Sequence, residues 1–335
     1  TYINENNIQV TRLPYKKFLP HFIMEKLRMY NGILGFLEDY RPDIIFIHDT
    51  QFLGAIDIIK YLKKNKNTVV YADGHADFIK HKGRNILLNW FSQKFLHGLI
   101  YKWSTQKLNP FVKKFYGVLP VRVNFIKEVY GIPEKKVELL VMGADDSMYD
   151  LNNSEIIQHN IRKKHNINHD DFLIVSGGRM DSTKKIEILM EAITKIPISN
   201  IKLLVFGTPH YSLKQRIADL SVSPNIINIG WIKSSEVYDY FIAADLVFFP
   251  GTHSVLWENA VGVGAPCVFK KWEGVQHIDL DGNCRFIENA TVDEIINEIK
   301  IIFYNRDILL DMSKIAKEKG IKEFSYSEIA KRCIS

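Results

Sequence analysis

Short apolar runs without alternation recur along the chain, and segments with apolar residues at helical spacing lie between them. Runs of this kind are typical of parallel strands that are buried on both faces of a sheet. Strands that alternate with helices predict an α/β protein with doubly wound parallel sheets. The predicted strands cover residues 43–48, 68–71, 172–176, 202–207, 226–231, 246–249 and 267–269, and the predicted helices cover residues 55–62, 156–164, 184–196 and 291–304.

The start of the chain has a different pattern. Residues 8–13 alternate between apolar and polar side chains, which predicts one further strand. Residues 20–40 carry apolar side chains at helical spacing, which predicts helix.

Polar side chains gather where the first two buried strands end. His48 and Asp49 follow the first of these strands, and Asp73, His75 and Asp77 lie at the end of the second. Because the carboxyl ends of parallel strands form one edge of a sheet, a ligand cleft is expected there. On position alone, a histidine such as His75 after a strand is more often a capping or solvated residue than a functional one.

The stretch 243–266, AADLVFFPGTHSVLWENAVGVGAP, has the pattern of a buried strand, a tight turn and the start of a helix. Ser254 is placed to cap this helix, and Glu258 lies in its first turns. Free amides in a first helical turn attract an anion such as a phosphate. The pattern therefore predicts a phosphate site, although a βα unit without any ligand has the same shape.

The bulk composition narrows the class of protein. A chain of 335 residues can form two domains, and 46% hydrophobic with 24% charged residues are the values of a soluble globular protein. No apolar run is long enough to span a membrane, and the first residues lack the pattern of a signal peptide. The three cysteines are scattered and lack metal-ligand spacing. These features predict a cytoplasmic protein without a disulfide framework or a metal site.

Residues 78–127 contain ten lysines and arginines and no aspartate or glutamate. Apolar side chains recur in this segment at every fourth position, at Leu87, Phe91, Phe95, Leu99 and Trp103. The pattern predicts a helix with an apolar face and a cationic surround, typical of a segment that lies in an anionic membrane interface. A core helix with a basic exposed side fits the same pattern, and no motif of nucleic-acid binding is present.

Several segments resemble the retaining nucleotide-sugar glycosyltransferases of the GT-B fold, in particular family four, the glycosyl transferases of group 1. The segments are VVYADGHADF at 69–78, YGIPEKKVELL at 130–140, GGRMDSTKKIEILMEAI at 177–193, INIGWIKSSEVYDYFIAADLVFFPG at 227–251, the overlapping stretch 243–266 quoted above, and EFSYSEIAKRCI at 323–334. The resemblance covers residues 42–335. It implies two Rossmann-like domains that face a central cleft, with the donor on the second domain and the acceptor on the first.

The resemblance also implies roles for individual residues. Arg179 and Lys184 would bind the donor diphosphate and neutralise the charge that develops as it leaves, because fixed cations can do this where no metal ion is held. His75 would reach the donor sugar, and Glu258 would bind the ribose hydroxyls. The other implied contacts to the nucleotide sugar are Gly178, Gly230, Trp231, Thr252, His253 and Ser254. No metal or other cofactor is implied, since the nucleotide sugar is itself a substrate.

The chain departs from the family pattern at two places. The family usually has a second glutamate eight residues before the one that matches Glu258, but position 250 is proline and the loop 251–254 looks shorter than usual. The strand and glycine-rich loop with which the family begins have no counterpart before Ile8. The expected division is an acceptor-side domain over residues 1–145, a donor-binding domain over 146–318 and a terminal helix over 319–335 that returns to the first domain.

The predicted function is transfer of a sugar from a nucleoside-diphosphate donor, most commonly a UDP-sugar in this family, to a glycan or lipid-linked acceptor with retention of configuration. The expected setting is the synthesis of cell-surface polysaccharide or glycoconjugate, at the inner face of the cell membrane. Two alternatives stay open: a catalytically weak GT-B subunit that stabilises a partner transferase, and a nucleotide-sugar epimerase. Motifs of other enzyme classes, such as a Walker loop or a G-x-S-x-G elbow, are absent.

Overall fold

The computed structural model describes residues 1–4, 7–78 and 91–335, with the backbone alone at residues 91–94. These residues form two compact units, Thr1–Leu140 and Val141–Ser335. The boundary expected from the sequence, at residue 145, lies a few residues further along the chain. Each unit contains a parallel sheet flanked by helices, so the α/β prediction is confirmed.

The first unit contains a four-stranded parallel sheet in the order β3-β4-β5-β6. Its core lies between this sheet and α3, α5 and α6, and includes Tyr61, Phe115 and Phe125. The elements are β1 (Tyr2–Ile3), β2 (Gln9–Val10), α1 (His21–Leu27), α2 (Ile33–Tyr40), β3 (Ile44–Ile47), α3 (Ala55–Lys64), β4 (Val69–Gly74), α4 (Phe91–Tyr101, with π-type turns), α5 (Lys102–Leu108), β5 (Val112–Gly117), α6 (Pro120–Glu128) and β6 (Val137–Leu139).

Two predictions for the start of the chain need correction. The strand expected over residues 8–13 is limited to β2, which pairs only with β1 in an antiparallel hairpin outside the main sheet. The helical stretch expected over residues 20–40 is divided into α1 and α2. The break arises because Arg28 ends α1 in a left-handed conformation, at φ 49°, and Gly32 precedes α2 at φ 89°.

The second unit contains a six-stranded parallel sheet in the order β12-β11-β10-β7-β8-β9. All six residues of the central strand β7 are buried, as its unbroken apolar run predicts. The elements are α7 (Ser154–Lys164), β7 (Phe172–Gly177), α8 (Ile186–Lys195), β8 (Ile201–Phe206), α9 (Lys214–Leu220), β9 (Ile226–Gly230), α10 (Val237–Ala243), β10 (Leu246–Phe249), α11 (Leu256–Gly262), β11 (Cys267–Lys270), β12 (Cys284–Ile287), α12 (Val292–Tyr304), α13 (Arg306–Ile315), a π-type segment (Ala316–Gly320), α14 (Ile321–Glu323) and α15 (Tyr326–Cys333). Single 3-10 turns lie at Asn109–Phe111 and Glu134–Lys136 in the first unit, and at Leu151–Asn153, Tyr211–Leu213 and Gln276–Ile278 in the second.

The terminal helix α15 is capped by Ser325, whose side chain accepts a hydrogen bond from the Glu328 amide. Ala144 joins it to the start of the second unit, because the Ala144 carbonyl accepts from the Tyr326 amide at 3.0 Å. α15 belongs to the second compact unit. Its expected return to the first domain stays a prediction.

The basic segment is helical over α4 and α5, while Leu87 and the rest of residues 79–90 lie outside the described residues. The predicted apolar stripe points outward in the described part, since Leu99 is 60% exposed and Trp103 is 49% exposed. Tyr101 and Leu108 make the buried side of the same helices. The core-helix interpretation is therefore wrong for Leu99 and Trp103.

The positive charge around α4 and α5 is smaller than the sequence of residues 78–127 indicates. Three of its basic side chains lie beside acidic residues, in the pairs Lys114–Glu138 (2.9 Å), Arg122–Asp77 (3.7 Å) and Lys127–Glu134 (3.0 Å). Over the described part of the chain, no helix has both the length and the apolar character needed to cross a membrane.

Candidate functional site

The strand order of the second unit has a switch point between β10 and β7. From β7 the chain proceeds outward through β8 and β9, whereas β10, β11 and β12 proceed outward on the other side. The loops after β7 and β10 therefore leave the sheet in opposite directions and open a crevice at its carboxyl edge, where parallel α/β sheets bind ligands. The predicted site residues Gly178, Arg179, Thr252, His253 and Ser254 all lie in these two loops.

Lys184 connects the two loops. Its Nζ atom donates hydrogen bonds to the carbonyl oxygens of Thr252, at 2.8 Å, and His253, at 2.7 Å. The Thr252 amide donates in turn to the carbonyl of Thr183 at 2.9 Å. Burial lowers the pKa of the Lys184 ammonium, and Asp181 offsets this only in part. The structure thus places a half-buried cation at the switch point, and the role of Lys184 in binding a diphosphate stays a prediction.

Gly251 allows this close approach between the loops. A Cβ atom at Gly251 would lie 2.3 Å from the backbone carbonyl of Lys184, so only glycine fits there without displacement of the backbone. The helix α8 begins at Ile186, two residues later than the predicted start at residue 184. Lys184 accordingly belongs to the loop and not to the first turn of the helix.

Arg179 is the exposed cation of the site. Its side chain is 75% exposed, and its Nε atom lies 3.0 Å from the Asp181 carboxylate. Asp181 is fixed by the amide of Thr183, which donates to it at 2.9 Å. Because exposed ion pairs contribute little, the guanidinium can leave Asp181 for an anionic ligand at small cost.

The glycines of the site permit tight backbone packing next to the crevice. Gly178 adopts φ 102°, and a Cβ atom on Gly207 would lie 1.8 Å from the Gly178 carbonyl. The Gly207 amide donates to the Gly230 carbonyl at 2.6 Å, which connects the ends of β8 and β9. Trp231 follows directly and is 71% exposed, so its ring offers a free flat surface. Gly230 and Trp231 thus lie at the same sheet edge as the other predicted residues.

The segment that follows β10 differs from the prediction at the start of α11. We expected the Ser254 side chain to cap this helix, but α11 begins at Leu256 and has no side-chain cap. Ser254 contributes its backbone carbonyl instead, which accepts from the Trp257 amide at 3.0 Å. The cap prediction is wrong because the helix begins one residue later than a Ser254 cap requires.

Glu258 lies beneath this loop and is fully buried. Its Oε1 atom is 2.7 Å from Nε2 of His253 and 3.0 Å from Nε2 of His277. Burial raises the pKa of this carboxyl, but the two imidazoles outweigh burial and hold the pKa at about 2. Glu258 has no exposed atom in this arrangement. A contact between Glu258 and a ribose stays a prediction, and it requires rearrangement of this cluster.

In the first unit, His75 lies at the carboxyl edge of β4 in a group of charged side chains. Its Nε2 atom is 3.3 Å from Asp73 Oδ1, and its Nδ1 atom is 3.4 Å from a guanidinium nitrogen of Arg122. Asp73 also contacts Nδ1 of His48 at 2.8 Å and accepts from the Asp49 amide at 2.6 Å. Burial raises the pKa of Asp73, but hydrogen bonds from His75, the Asp49 amide and His48 lower it overall. His75 is therefore a held side chain and not a freely solvated one.

Among the described residues, two sets of side chains offer metal-ligand atoms within 4.8 Å of one another: His48, Asp73 and His75 in the first unit, and His253, Glu258 and His277 in the second. Imidazole and carboxylate ligands suit zinc and related divalent ions. In both sets the carboxylate lies against the imidazoles, so hydrogen bonding accounts for their proximity. The expectation that the protein needs no metal stays a prediction.

Sequence reasoning missed His277. It follows Glu258 by 19 residues, in a loop after β11, and its side chain is only 3% exposed. No spacing rule links a loop histidine to a helix glutamate at such a separation. Only the packing of that loop against α11 brings the two side chains together.

Residues 157–319 match the family model described as glycosyl transferases group 1. An uncharacterized glycosyltransferase of Methanocaldococcus jannaschii is 24% identical over 362 aligned positions, which cover 100% of this chain and 85% of the relative. The lipopolysaccharide 1,2-N-acetylglucosaminetransferase of Salmonella typhimurium is 25% identical over 62% of this chain and 58% of its own length. The crystal structure of HepE from Anabaena in complex with UDP and glucose superposes with a TM-score of 0.65 at 15% identity, over 90% of this chain and 79% of that one. The fold of the chain is therefore GT-B, and the matches support a glycosyltransferase of this fold.

Proposed function

We propose that the protein transfers a sugar from a nucleoside-diphosphate donor, with retention of configuration, and that the donor binds to the second unit. The observation that carries this proposal is the arrangement at the switch point, where Lys184 connects the loops after β7 and β10 and the exposed guanidinium of Arg179 pairs with Asp181 in the first of these loops. A nucleoside diphosphate is an anionic leaving group, and preorganised cations stabilise the charge that develops on it. UDP is the proposed carrier, supported by the complex that the HepE neighbour forms with UDP and glucose.

Within this proposal most of the predicted residues contact the donor. Arg179 and Lys184 bind the diphosphate, the loop 252–254 contacts the phosphates, and the exposed ring of Trp231 stacks on the base next to Gly230. His75 contacts the donor sugar. Its contacts with Asp73 and Arg122 support this role, because they fix the orientation of the imidazole at the end of β4. The acceptor is proposed to be a glycan or a lipid-linked saccharide, in line with the lipopolysaccharide relative.

Titration calorimetry with UDP and GDP tests the donor site. We expect one nucleotide to bind, and the Arg179→Ala variant to bind it about tenfold to a hundredfold more weakly, since a hydrogen bond to a charged group contributes about 1.5–3 kcal/mol. Arg216→Ala is the matched control, because Arg216 is half exposed on α9 and pairs with Glu191. Equal weakening by both variants, or no binding of either nucleotide to the folded wild type, would contradict the proposal.

We also propose that α4 and α5 lie against the anionic inner face of the cell membrane. Leu99 and Trp103 are the exposed apolar anchors, and Lys102 and Lys107 lie in the same helix as Trp103. The double variant Leu99→Gln, Trp103→Gln is expected to reduce binding to vesicles of phosphatidylglycerol at least tenfold in a sedimentation assay. The control Ile156→Gln removes an equally exposed apolar side chain of α7 and should bind like the wild type. Unchanged vesicle binding by the double variant would contradict this location.

A second candidate is a catalytically weak GT-B subunit that stabilises a partner transferase. The burial of Glu258 favours it, since no carboxylate of α11 is exposed at the crevice. Incubation with UDP-sugars, with and without a lipid-linked saccharide as acceptor, separates the candidates. A transferase releases UDP when the acceptor is present, an epimerase converts the donor without it, and a supporting subunit binds the nucleotide and leaves the donor unchanged in both cases.

A further inference from the structure

A tryptophan connects the loop that follows β11 to the loop that follows β10. Trp272 is the second residue after β11, and its Nε1 atom donates a hydrogen bond to the carbonyl oxygen of Gly251 at 3.1 Å. β10 and β11 are neighbouring parallel strands, so the contact joins two loops at one edge of the sheet. The side chain of Trp272 is 37% exposed, and filling the core therefore does not explain its place.

The peptide group between Gly251 and Thr252 is held from two sides. Its carbonyl accepts from Trp272, and its amide donates to the carbonyl of Thr183 at 2.9 Å. The C=O and N–H bonds of a trans peptide group point in opposite directions. Trp272 and Thr183 therefore act on opposite edges of one plane, and rotation of that plane would break both hydrogen bonds.

Gly251 is the reason that this peptide group needs to be held. Only glycine fits there, because a Cβ atom would lie 2.3 Å from the backbone carbonyl of Lys184. Glycine also has more backbone freedom than any other residue, and a hydrogen bond at its carbonyl restricts that freedom. Lys184 binds the next two carbonyls, of Thr252 and His253, so that three successive carbonyls of the loop each accept a hydrogen bond.

The indole ring of Trp272 is itself fixed in place. The ammonium of Lys270 lies 5.2 Å from the ring centre, in a cation–π contact, and also donates to the Lys271 carbonyl at 3.2 Å. The buried indole N–H of Trp257, by contrast, has no hydrogen-bond partner among the described residues. The hydrogen bond to Gly251 is therefore a particular feature of Trp272 and not a general property of indoles in this unit.

We propose that Trp272 is a positioning residue, which holds the loop 251–254 in the conformation that receives the phosphates of the donor. This inference rests on the proposed function, in which the loop contacts the phosphates. The described residues offer no acceptor to the backbone amides of His253 and Ser254, so these two N–H groups are left for an anion. A loop that is already ordered binds its ligand more tightly, because binding does not have to order it.

The first test is titration calorimetry with UDP and with inorganic pyrophosphate, which has neither ribose nor base. Trp272→Phe keeps an aromatic ring but lacks the indole N–H. It is expected to bind both ligands about threefold to tenfold more weakly, the effect of one hydrogen bond. Lys271→Met is the matched control, because Lys271 belongs to the same loop and forms an exposed pair with Glu288. It should bind both ligands within about twofold of the wild type.

The second test measures the hold on the loop without any ligand. The Thr252 amide is the reporter, since its hydrogen bond to Thr183 protects it from exchange with solvent. Its hydrogen exchange is expected to be about threefold to tenfold faster in Trp272→Phe than in the wild type. The amides of α8 should exchange at the same rate in both proteins, because a general loss of stability would accelerate exchange throughout the unit.

Three results would overturn the inference. Wild-type affinity of folded Trp272→Phe for both ligands would show that the hydrogen bond does not position the phosphate contacts. Weak binding by Trp272→Leu alone would show that the packing of the ring acts, and not its N–H group. An unchanged exchange rate of the Thr252 amide would show that Trp272 does not hold the loop. Failure of the wild type to bind either ligand would instead count against the proposed function, and the exchange measurement would still decide whether Trp272 holds the loop.

Discussion

The Lys184→Met variant is expected to bind UDP about a hundredfold more weakly than the wild type, a loss of about 2.7 kcal/mol. Lys184 has two tasks that methionine cannot perform. Its ammonium donates to the carbonyls of Thr252 and His253, which fixes the phosphate loop, and it places a positive charge at the switch point between β10 and β7. Methionine keeps an unbranched side chain that lacks the terminal ammonium, so the loss reports on the charge and its hydrogen bonds.

The adjacent lysine provides the matched control for this variant. Lys185 donates to the Asn289 carbonyl at 2.8 Å, away from the loop 252–254. Lys185→Met should therefore bind UDP within about twofold of the wild type. Similar losses in both variants would contradict a specific role for Lys184. Because burial lowers the pKa of Lys184, its charge is lost at a lower pH than that of an exposed lysine, and UDP affinity should decline at alkaline pH in the wild type but not in Lys184→Met.

The Glu258→Ala variant is expected to lose about 3–5 kcal/mol of unfolding free energy, the usual cost of removing one partner from a buried ionic cluster. Two buried imidazoles, of His253 and His277, would lose their common acceptor. Chemical denaturation measures this loss. Glu323→Ala is the control, since Glu323 and Arg332 form an exposed pair that should contribute less than about 1 kcal/mol. Equal losses in the two variants would show that the buried cluster does not stabilise the fold.

The pH dependence of stability provides an independent check on Glu258. Its pKa falls from the ordinary 4.5 to about 2 in the folded protein. A group with a depressed pKa stabilises the fold fully above its unfolded-state value, and this stabilisation disappears as the pH falls toward the folded-state value. Between these two pH values, the unfolding free energy of the wild type should therefore fall more steeply than that of Glu258→Gln. Parallel curves would indicate that the pKa of this carboxyl is not lowered in the folded state.

The fold of the second unit was largely predictable from the sequence, because its strands are unbroken apolar runs that are buried on both faces. Residues 172–176 and 246–249 were expected to be strands and are parts of β7 and β10. The first unit was less predictable. Its hairpin depends on the pairing of β1 with β2, and the break between α1 and α2 depends on left-handed backbone conformations at Arg28 and Gly32. The spacing of hydrophobic residues predicts neither feature.

The sequence by itself determined that this is an α/β chain with glycines and basic residues at strand ends. The resemblance of those segments to the glycosyl transferases of group 1 indicated Arg179, Lys184 and the loop 252–254 as phosphate contacts. Local rules suffice for this, because a strand, its turn and the following residues are neighbours in sequence. The tertiary structure decided which of these groups meet. It joined Lys184 to a loop 68 residues away, and it buried Glu258 between His253 and His277, because hydrogen bonding and burial act between residues that only the folded sheet brings together.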